Sequence, residues 1–277
     1  MRSRALKPSS FLATLVFALL SYSATAIAVP KAELWTFWLD HVPDSTVELD
    51  HSAWQRFLDS YLTQHEDGIN RVDYGSVTAQ MRSQLQAYLD YLTASDPRLL
   101  SRDEQLAYWV NLYNALTVEV VLRHPGKGSI LRMRYGLLSI GPWAEPLIEI
   151  AGNELSLNDI EHRILRPIWQ DHRIHYVVNC ASLGCPNLNR LAYNSENVSS
   201  LLAAAEVEFV NHPRGVTFTD DGRLRLSSIF KWYRGDFATS QRELLDHLAR
   251  RHATLGDAIR NHRKGIQYKY DWNLNRP

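Results

Sequence analysis

The chain has only two cysteines, Cys180 and Cys185, and four residues separate them. They follow a short β-branched run, residues 175–179, which predicts a buried strand. Loops that leave the ends of strands commonly hold reactive side chains, and here Asn179 and Gly184 flank the thiols. A thiol in this setting has three chemical uses: it is a nucleophile, a metal ligand or half of a disulfide.

As a nucleophile, a cysteine must ionise, and its ordinary pKa of about 8.5 is too high for this at neutral pH. Cys185 is the first candidate, because Pro186 is a favoured first helical residue and would put this thiol at a helix N-terminus. Cys180 is the second, since it lies near His175 and next to Asn179, whose amide would hold an oxyanion. This hypothesis predicts an acyl-transferring thiol enzyme, most simply an amide hydrolase.

Residues 159–166 place a carboxylate on the apolar side of a predicted helix. At about 100° per residue, Glu161 points into the core-facing side and His162 lies on its edge. A buried carboxylate is costly without a partner, so Glu161 must pair with a distant group, either in a structural network or beside a catalytic histidine. We predict His162 as the base, His175 as the second candidate, and Glu161 as the acid that orients the base.

Two other uses of the cysteines remain open. An oxidising compartment favours a Cys180–Cys185 disulfide, which would close a loop of about six residues and stabilise the fold by ~2 kcal/mol. The chain would then be a non-catalytic binding or interaction module. Two thiols with His162 or His175 would also satisfy a tetrahedral zinc site, although no second closely spaced ligand pair accompanies them. No motif predicts a cofactor.

The first 28 residues have the pattern of a secretory signal peptide. Three basic side chains, Arg2, Arg4 and Lys7, precede an apolar stretch at 11–20, and small residues at 24–28 form cleavage sites. The apolar stretch is shorter than the ~20 residues that cross a bilayer, and no later segment is long and apolar enough. We therefore expect a soluble protein without a membrane span, periplasmic or secreted after cleavage.

The charge balance gives no reason to expect a nucleic-acid partner. The chain has 30 basic and 30 acidic side chains, and loss of residues 1–28 removes three basic and no acidic ones, which leaves a formal charge near −3. Neither a basic run nor a basic total is present. The expected partner is a substrate, peptide-like if the thiol acts on amides, and the sequence gives no signal for an oligomeric state.

The elements that must position these groups predict a helix-rich α+β domain. Apolar periodicity and capping residues predict helices at 32–41, 52–64, 105–123, 159–166, 196–211 and 240–252, and another that ends near 93. Hairpins are predicted at 147–156 and 216–226, and a closing strand at 266–272. No βαβ alternation occurs, so we expect a small, largely antiparallel sheet. Residues 29–277 contain no linker or repeat and should form a single domain.

The helix at 105–123 is apolar on nearly every face and should be the central buried helix. Asn111 and Asn114 lie on one side of it, and a buried amide without partners costs about 1–3 kcal/mol. They bond either to the backbone of a neighbouring loop or to a substrate. With Tyr113 and Asn179, they are the candidate substrate-binding residues.

Most remaining polar and aromatic residues have ordinary structural interpretations. Lys231 and Asp236 are close enough in sequence to pair or to line the site, and a solvated position is the preferred interpretation. Four aromatic side chains, Trp232, Tyr233, Tyr270 and Trp272, are interpreted as core residues. His51, at a helix start, is the one further histidine that could belong to a site. The histidines interpreted as surface or capping residues are His41, His65, His124, His172, His212, His252 and His262.

Five motifs follow one another between residues 54 and 275. They are YWVNLYNA at 108–115, LNDIEHRILR at 157–166, HYVVNCASLGCP at 175–186, SIFKWYRGDF at 228–237 and YKYDWNLN at 268–275. Together they resemble the domain of unknown function 547 family. The resemblance covers nearly all of the chain after the signal peptide. It implies one domain similar to the papain or transglutaminase type of cysteine-nucleophile fold.

Overall fold

The structure, a computed structural model, describes residues 30–136 and 139–277, so the predicted signal peptide lies outside the described residues. The described residues form a helix-rich α+β fold, as predicted. The α-helices are α1 (Ser52–Tyr61), α2 (Ala79–Ala94), α3 (Arg102–Arg123), α4 (Arg166–Trp169), α5 (Val198–Asn211), α6 (Ile229–Trp232), α7 (Arg234–Phe237), α8 (Gln241–Arg251) and α9 (Gly256–Arg260). None of these helices has the length and hydrophobicity that a membrane crossing needs.

The strands are short and form three small sheets. The strands are β1 (Leu62–Gln64), β2 (Asn70–Val72), β3 (Ile148–Ile150), β4 (Asn153–Leu155), β5 (Val216–Phe218), β6 (Leu224–Ser227) and β7 (Ile266–Lys269). The antiparallel pairs are β1–β2, β3–β4 and β5–β6, while β7 joins β6 in parallel. Both predicted hairpins and the largely antiparallel pairing are therefore confirmed.

Helix α3 is the centre of the core, as its composition predicts. The Ser101 side chain caps it by accepting a hydrogen bond from the backbone of Glu104, and nearly all later residues of the helix are buried. It packs against α2, α5 and the segment that carries Glu161. One continuous apolar cluster runs from Trp38 to Ile259 and joins most of the elements.

The prediction of a helix at residues 32–41 is wrong. Only a 3₁₀ turn, Thr36–Trp38, forms there. The backbone amides of Glu33 and Trp35 instead donate to the carbonyls of His162 and Arg163, at 3.0 Å each. An amide that bonds to another segment is not free for an intrahelical bond, so this part of the chain lies against its neighbour in an extended form.

The helix at 159–166 is present but is wound differently. Asp159–Leu165 is a π-helix, and it continues directly into α4. Pro167 lacks an N–H, so it cannot bond to the Arg163 carbonyl, which Trp35 uses instead. Because the angle per residue differs from 100°, His162 is buried and not at the edge of the core, whereas Glu161 points inward as predicted.

The prediction of a strand at residues 175–179 is also wrong. A 3₁₀ helix, His172–Tyr176, occupies its first part, and the rest is irregular. The side chain of Asn114 takes the place of a neighbouring strand: its amide donates to Val177 at 2.9 Å and its oxygen accepts from the Asn179 backbone at 2.8 Å. A short apolar run is compatible with either structure, and these side-chain bonds decide between them.

Candidate active site

A cavity of about 230 Å³ lies where the π-helix, the cysteine loop and the C-terminal segment meet. Six predicted site residues line it, namely Tyr113, Glu161, His162, His175, Cys180 and Cys185. The rest of the wall is mainly apolar and includes Trp143, Ile229, Trp232, Tyr233, Tyr270 and Trp272. A largely apolar pocket with a few convergent polar groups is typical of a small-molecule or substrate site.

Cys180 is the thiol with several hydrogen-bonding partners. Its Sγ lies 3.0 Å from the Tyr270 hydroxyl and 3.1 Å from that of Ser182. A hydrogen bond from the Cys185 thiol, followed by those of Ser182 and Tyr270, lowers the pKa of Cys180 from its ordinary value, although burial opposes the shift. Donors of this kind stabilise the thiolate, which is the reactive form.

Cys185 is in a different environment from the one that its sequence predicts. No helix begins at Pro186, so Cys185 is not at a helix N-terminus. Its Sγ is buried and accepts a hydrogen bond from the Cys180 backbone N–H at 3.1 Å. Burial, followed by the neighbouring Cys180, raises the pKa of Cys185 well above its ordinary value.

The loop that carries both thiols is held rigidly. Ala181, directly after Cys180, has φ +56°, a left-handed conformation that is uncommon for a residue with a side chain. The Asn179 carboxamide oxygen fixes it by accepting from the Ala181 N–H at 2.8 Å. Gly184 lies so close to Asp271 that an added Cβ would be 2.6 Å from the Asp271 nitrogen. A strained conformation held by its surroundings is common at functional sites.

Glu161 is buried between two histidines. Its Oε1 is 3.8 Å from His162 Nδ1 and 3.7 Å from His175 Nδ1, and Tyr113 donates to its Oε2 at 3.1 Å. Burial alone would raise the pKa of Glu161, but His162, His175 and Arg166 lower it to about 2. Glu161 is therefore a carboxylate at neutral pH.

His175 is oriented by a second carboxylate. Its Nε2 lies 2.7 Å from Asp236 Oδ2, and its ring stacks on Tyr233 at a centroid distance of 4.0 Å. The guanidinium of Arg166 donates to both oxygens of Asp236, at 2.7 and 3.1 Å. Burial alone would raise the pKa of Asp236, but these hydrogen bonds hold it below its ordinary value.

The two histidines differ in which ring nitrogen is hydrogen-bonded. Arg166 donates to His162 Nδ1 at 3.0 Å, so this lone pair is occupied and the neutral ring carries its proton on Nε2. Burial lowers the pKa of His162. In His175, Asp236 accepts from Nε2–H, and the buried Nδ1 has no hydrogen-bond partner. In the neutral tautomer with the proton on Nε2, His175 therefore has an unshared lone pair on Nδ1, whereas the Nδ1 of His162 is occupied.

Asn111, Asn114 and Asn179 do not line the cavity. Asn111 bonds to both backbone groups of Tyr193, at 2.8 and 3.0 Å, just as Asn114 bonds to the 177–179 backbone. The Asn179 amide donates to the Pro186 carbonyl at 2.7 Å. These amides therefore hold the loops beside α3, which is the first of the two roles considered for Asn111 and Asn114.

We expect Asn114→Ala to lower the free energy of unfolding by about 2–4 kcal/mol. The substitution leaves the Val177 carbonyl and the Asn179 N–H unpaired inside the protein, and each unsatisfied group costs about 1–3 kcal/mol. Urea unfolding followed by tryptophan fluorescence measures the loss. Asn261→Ala, at an exposed position, should change the value by less than about 0.5 kcal/mol, and equal effects of the two would contradict this role.

The structure also bears on the two alternatives for the cysteines. Both are free cysteines, without a bond between them. Within residues 30–136 and 139–277, one group of three ligand side chains has all its ligand atoms within 4.8 Å of one another, and this group is His172, Glu206 and His247. The two thiols and His162 or His175 are therefore not arranged as a zinc site.

Residues 97–210 match the family model described as "Protein of unknown function, DUF547". This segment belongs to the DUF547 family. The predicted resemblance is thus confirmed over α3, the π-helix and the cysteine loop. Comparison with curated proteins and with solved structures gave no match. The similarity to papain or transglutaminase folds stays a prediction.

The DUF547 segment contains Tyr113, both histidines and both cysteines, but not all of their partners. Asp236, which bonds to His175, and Tyr270, which bonds to Cys180, come from beyond it, 61 and 90 residues away from these partners. The sequence interpretation of Asp236 as solvated is wrong, because its side chain is 27% exposed and joins Arg166 to His175. No spacing in the sequence signals these long-range pairs.

Proposed function

We propose that the protein is a thiol-dependent hydrolase or acyl transferase with Cys180 as its nucleophile. The observation that carries this proposal is that Cys180, whose hydrogen-bond donors lower its pKa, lines the same cavity as a histidine with one nitrogen free of hydrogen bonds. Enzymes that use cysteine need a stabilised thiolate and a base oriented by a third group. Cys180, His175 and Asp236 supply these three parts, and Cys180 replaces Cys185 as first candidate because of its lower pKa.

In this mechanism the Cys180 thiolate attacks the carbonyl carbon of an acyl substrate. The proton of the Cys180 thiol passes to His175 Nδ1 as the thiolate forms. The amine or alcohol then leaves with this proton, and a thioester remains on Cys180. Water next attacks the thioester and gives a proton to His175 Nδ1, and the imidazolium returns that proton to the departing Cys180 thiolate as the acid is released. An acceptor amine in place of water gives transfer instead of hydrolysis.

His175 is the proposed base in preference to His162. A base needs an unshared lone pair, and Arg166 occupies that of His162 Nδ1. Asp236 fixes the His175 tautomer with the proton on Nε2, which leaves Nδ1 to accept a proton. Glu161 lies 3.7 Å from this nitrogen and would stabilise the imidazolium that forms.

The cavity favours a substrate with an apolar or aromatic group next to its carbonyl. Four aromatic rings, Trp232, Tyr233, Tyr270 and Trp272, line the cavity together with Cys180, and Trp143 packs against Trp272. Such rings bind apolar groups through burial of area and ring contacts. A peptide or another amide with a hydrophobic side chain fits these properties.

A second candidate function is a non-catalytic binding module closed by a disulfide. The close approach of the Cys180 backbone to Cys185 Sγ, at 3.1 Å, favours it if the protein acts in an oxidising compartment after export. A disulfide between Cys180 and Cys185 would remove both thiols and leave the aromatic cavity as a recognition surface.

Thiol labelling tests the proposal directly. Cys185→Ser keeps a hydrogen-bond donor at position 185. In this variant the rate at which iodoacetamide labels Cys180 should reach half its maximum at a pH below the ordinary cysteine pKa of about 8.5. In Cys180→Ser, the buried Cys185 should react at least about 10-fold more slowly at pH 7, because its pKa is raised. Labelling rates are measured by mass spectrometry between pH 5 and 10.

Tyr270→Phe supplies the matched control for Cys180. It removes the 3.0 Å hydroxyl contact and keeps the ring, so the labelling midpoint of Cys180 should rise. Equal, slow labelling of both thiols after reduction would contradict the enzyme proposal. Labelling of neither thiol before reduction, in protein from its native compartment, would favour the disulfide-closed module.

A further inference from the structure

A second polar cluster lies outside the cavity, where three helices meet. His172 begins the 3₁₀ helix His172–Tyr176, Glu206 lies in α5, and His247 lies in α8. The Nε2 atoms of both histidines approach the same oxygen, Glu206 Oε1, at 2.9 Å for His172 and 3.1 Å for His247. The Glu206 side chain is 3% exposed, so a carboxylate has been buried to meet two imidazoles.

The geometry at His247 is not explained by hydrogen bonding. This residue is 8% exposed, and its buried Nε2 has no hydrogen-bond partner. The Nε2 atom lies 3.1 Å from Glu206 Oε1, but the two groups are not aligned as a hydrogen bond requires. An unpartnered buried ring nitrogen is costly. It points to a ligand that interacts with the lone pair instead of with an N–H.

We propose that His172, Glu206 and His247 bind a divalent cation of the zinc class. Two imidazole nitrogens and one carboxylate oxygen are a common ligand set for zinc, with bonds of about 2.0–2.2 Å. Tetrahedral ligand atoms at these bond lengths are about 3.4 Å apart, by simple geometry. The two nitrogen–oxygen separations, 2.9 and 3.1 Å, need to open by only a few tenths of an ångström, and the two imidazole nitrogens lie within 4.8 Å of each other.

The surroundings resemble those of a metal site with three protein ligands. Arg251 donates to Glu206 Oε2 at 2.9 Å, which fixes the carboxylate and leaves Oε1 for the metal. Outer partners of this kind orient ligands in metalloproteins. The His172 side chain is 26% exposed and borders a surface groove with Trp169 and Val207. The groove gives the cation an entry path and space for a solvent molecule as fourth ligand.

The proposed cation would connect to the candidate active site through one aromatic ring. Phe237 packs against His172, His247 and His175, with centroid distances of 5.7, 6.2 and 5.4 Å. His172 and His175 are also the first and fourth residues of one five-residue helix. A metal bound to His172 would therefore hold the helix that carries His175. The site itself does not depend on the proposed thiol chemistry.

Zinc binding to the purified full chain tests the proposal. After dialysis against Zn²⁺ and removal of free metal, we expect one zinc per chain by elemental analysis and a higher unfolding temperature. Loss of a residue that only orients a metal ligand lowers metal affinity by about 10–100-fold. His247→Gln and His172→Ala each remove a ligand, so each should lower the zinc affinity by more than this. If His247→Gln fails to fold, the more exposed His172 carries the test.

Two controls distinguish this site from other sources of metal binding. His262→Ala, which changes a histidine outside the cluster, and the double variant Cys180→Ser/Cys185→Ser should both retain one zinc. Co²⁺ in place of Zn²⁺ should give the visible absorption of a tetrahedral nitrogen and oxygen site without a thiolate charge-transfer band. Retention of no zinc by the wild type, or stoichiometry that falls only in the cysteine variant, would overturn the proposal.

Discussion

Glu161→Gln is expected to lower the free energy of unfolding by up to about 3 kcal/mol at pH 7, and by less at pH 3. The buried Glu161 has a pKa of about 2 in the folded protein, against an ordinary 4.5. Each pKa unit corresponds to about 1.4 kcal/mol, so ionised Glu161 contributes stability of this order. Gln keeps the shape but loses the charge that faces His162, His175 and Arg166.

The pH dependence separates this effect from a simple loss of packing. A depressed carboxyl pKa contributes stability that is fully present above the unfolded value of 4.5 and is lost as pH falls toward 2. The difference between wild type and Glu161→Gln should therefore shrink across that range. Urea unfolding at pH 7, 5, 4 and 3 measures it.

Glu149→Gln, on the exposed face of β3, is the matched control and should differ from wild type by less than about 0.5 kcal/mol at each pH. A difference between wild type and Glu161→Gln that stays constant from pH 7 to 3 would show that charge at position 161 is not what stabilises the protein.

Periodicity and capping predict the elements that depend on local interactions. Helix α3 is apolar all round and begins at a serine with a carboxylate three residues later, and it forms where these signals place it. The hairpin around Gly222 forms because the glycine takes φ +72°. The inward direction of Glu161 also follows from its position among apolar neighbours.

The errors occur where a distant group replaces a local interaction. Asn114 holds residues 177–179 out of a strand, and the carbonyls of the π-helix hold residues 33–35 out of a helix. Glu104 shows the same effect, because its side chain accepts from the amides of Leu49 and Ser195 and does not complete a local capping box. Sequence spacing contains no information on such partners.

The candidate site was only partly predictable for the same reason. The cysteines, Glu161, His162 and His175 are recognisable by residue type, and they do line one cavity. Their relative importance depends on distant residues: Arg166 bonds to His162 and Asp236 to His175, and burial with hydrogen bonds from several residues sets the pKa of each thiol. His51 illustrates the ambiguity of type alone: it is buried and bonds to the Tyr88 hydroxyl at 2.7 Å, away from the cavity.

The comparison of the two histidines gives the largest expected kinetic effect. We expect His175→Gln to slow turnover of p-nitrophenyl acetate, used as a general acylating substrate, by about 10²–10⁴-fold, the usual contribution of a general base. His162→Gln should slow it by less than about 10-fold, because Arg166 already occupies the lone pair of His162. Both rings are buried, so each variant is first compared with wild type by thermal unfolding.

The pH profile identifies the role of His175 separately from any change in folding. Loss of a base removes the acidic limb of the rate profile, whereas a structural change lowers the rate at every pH. Cys180→Ser should abolish the initial burst of p-nitrophenolate, because no thioester forms, while Cys185→Ser should keep it. A rate that falls more in His162→Gln than in His175→Gln would assign the base to the other ring, and a burst that survives in Cys180→Ser would remove Cys180 as the nucleophile.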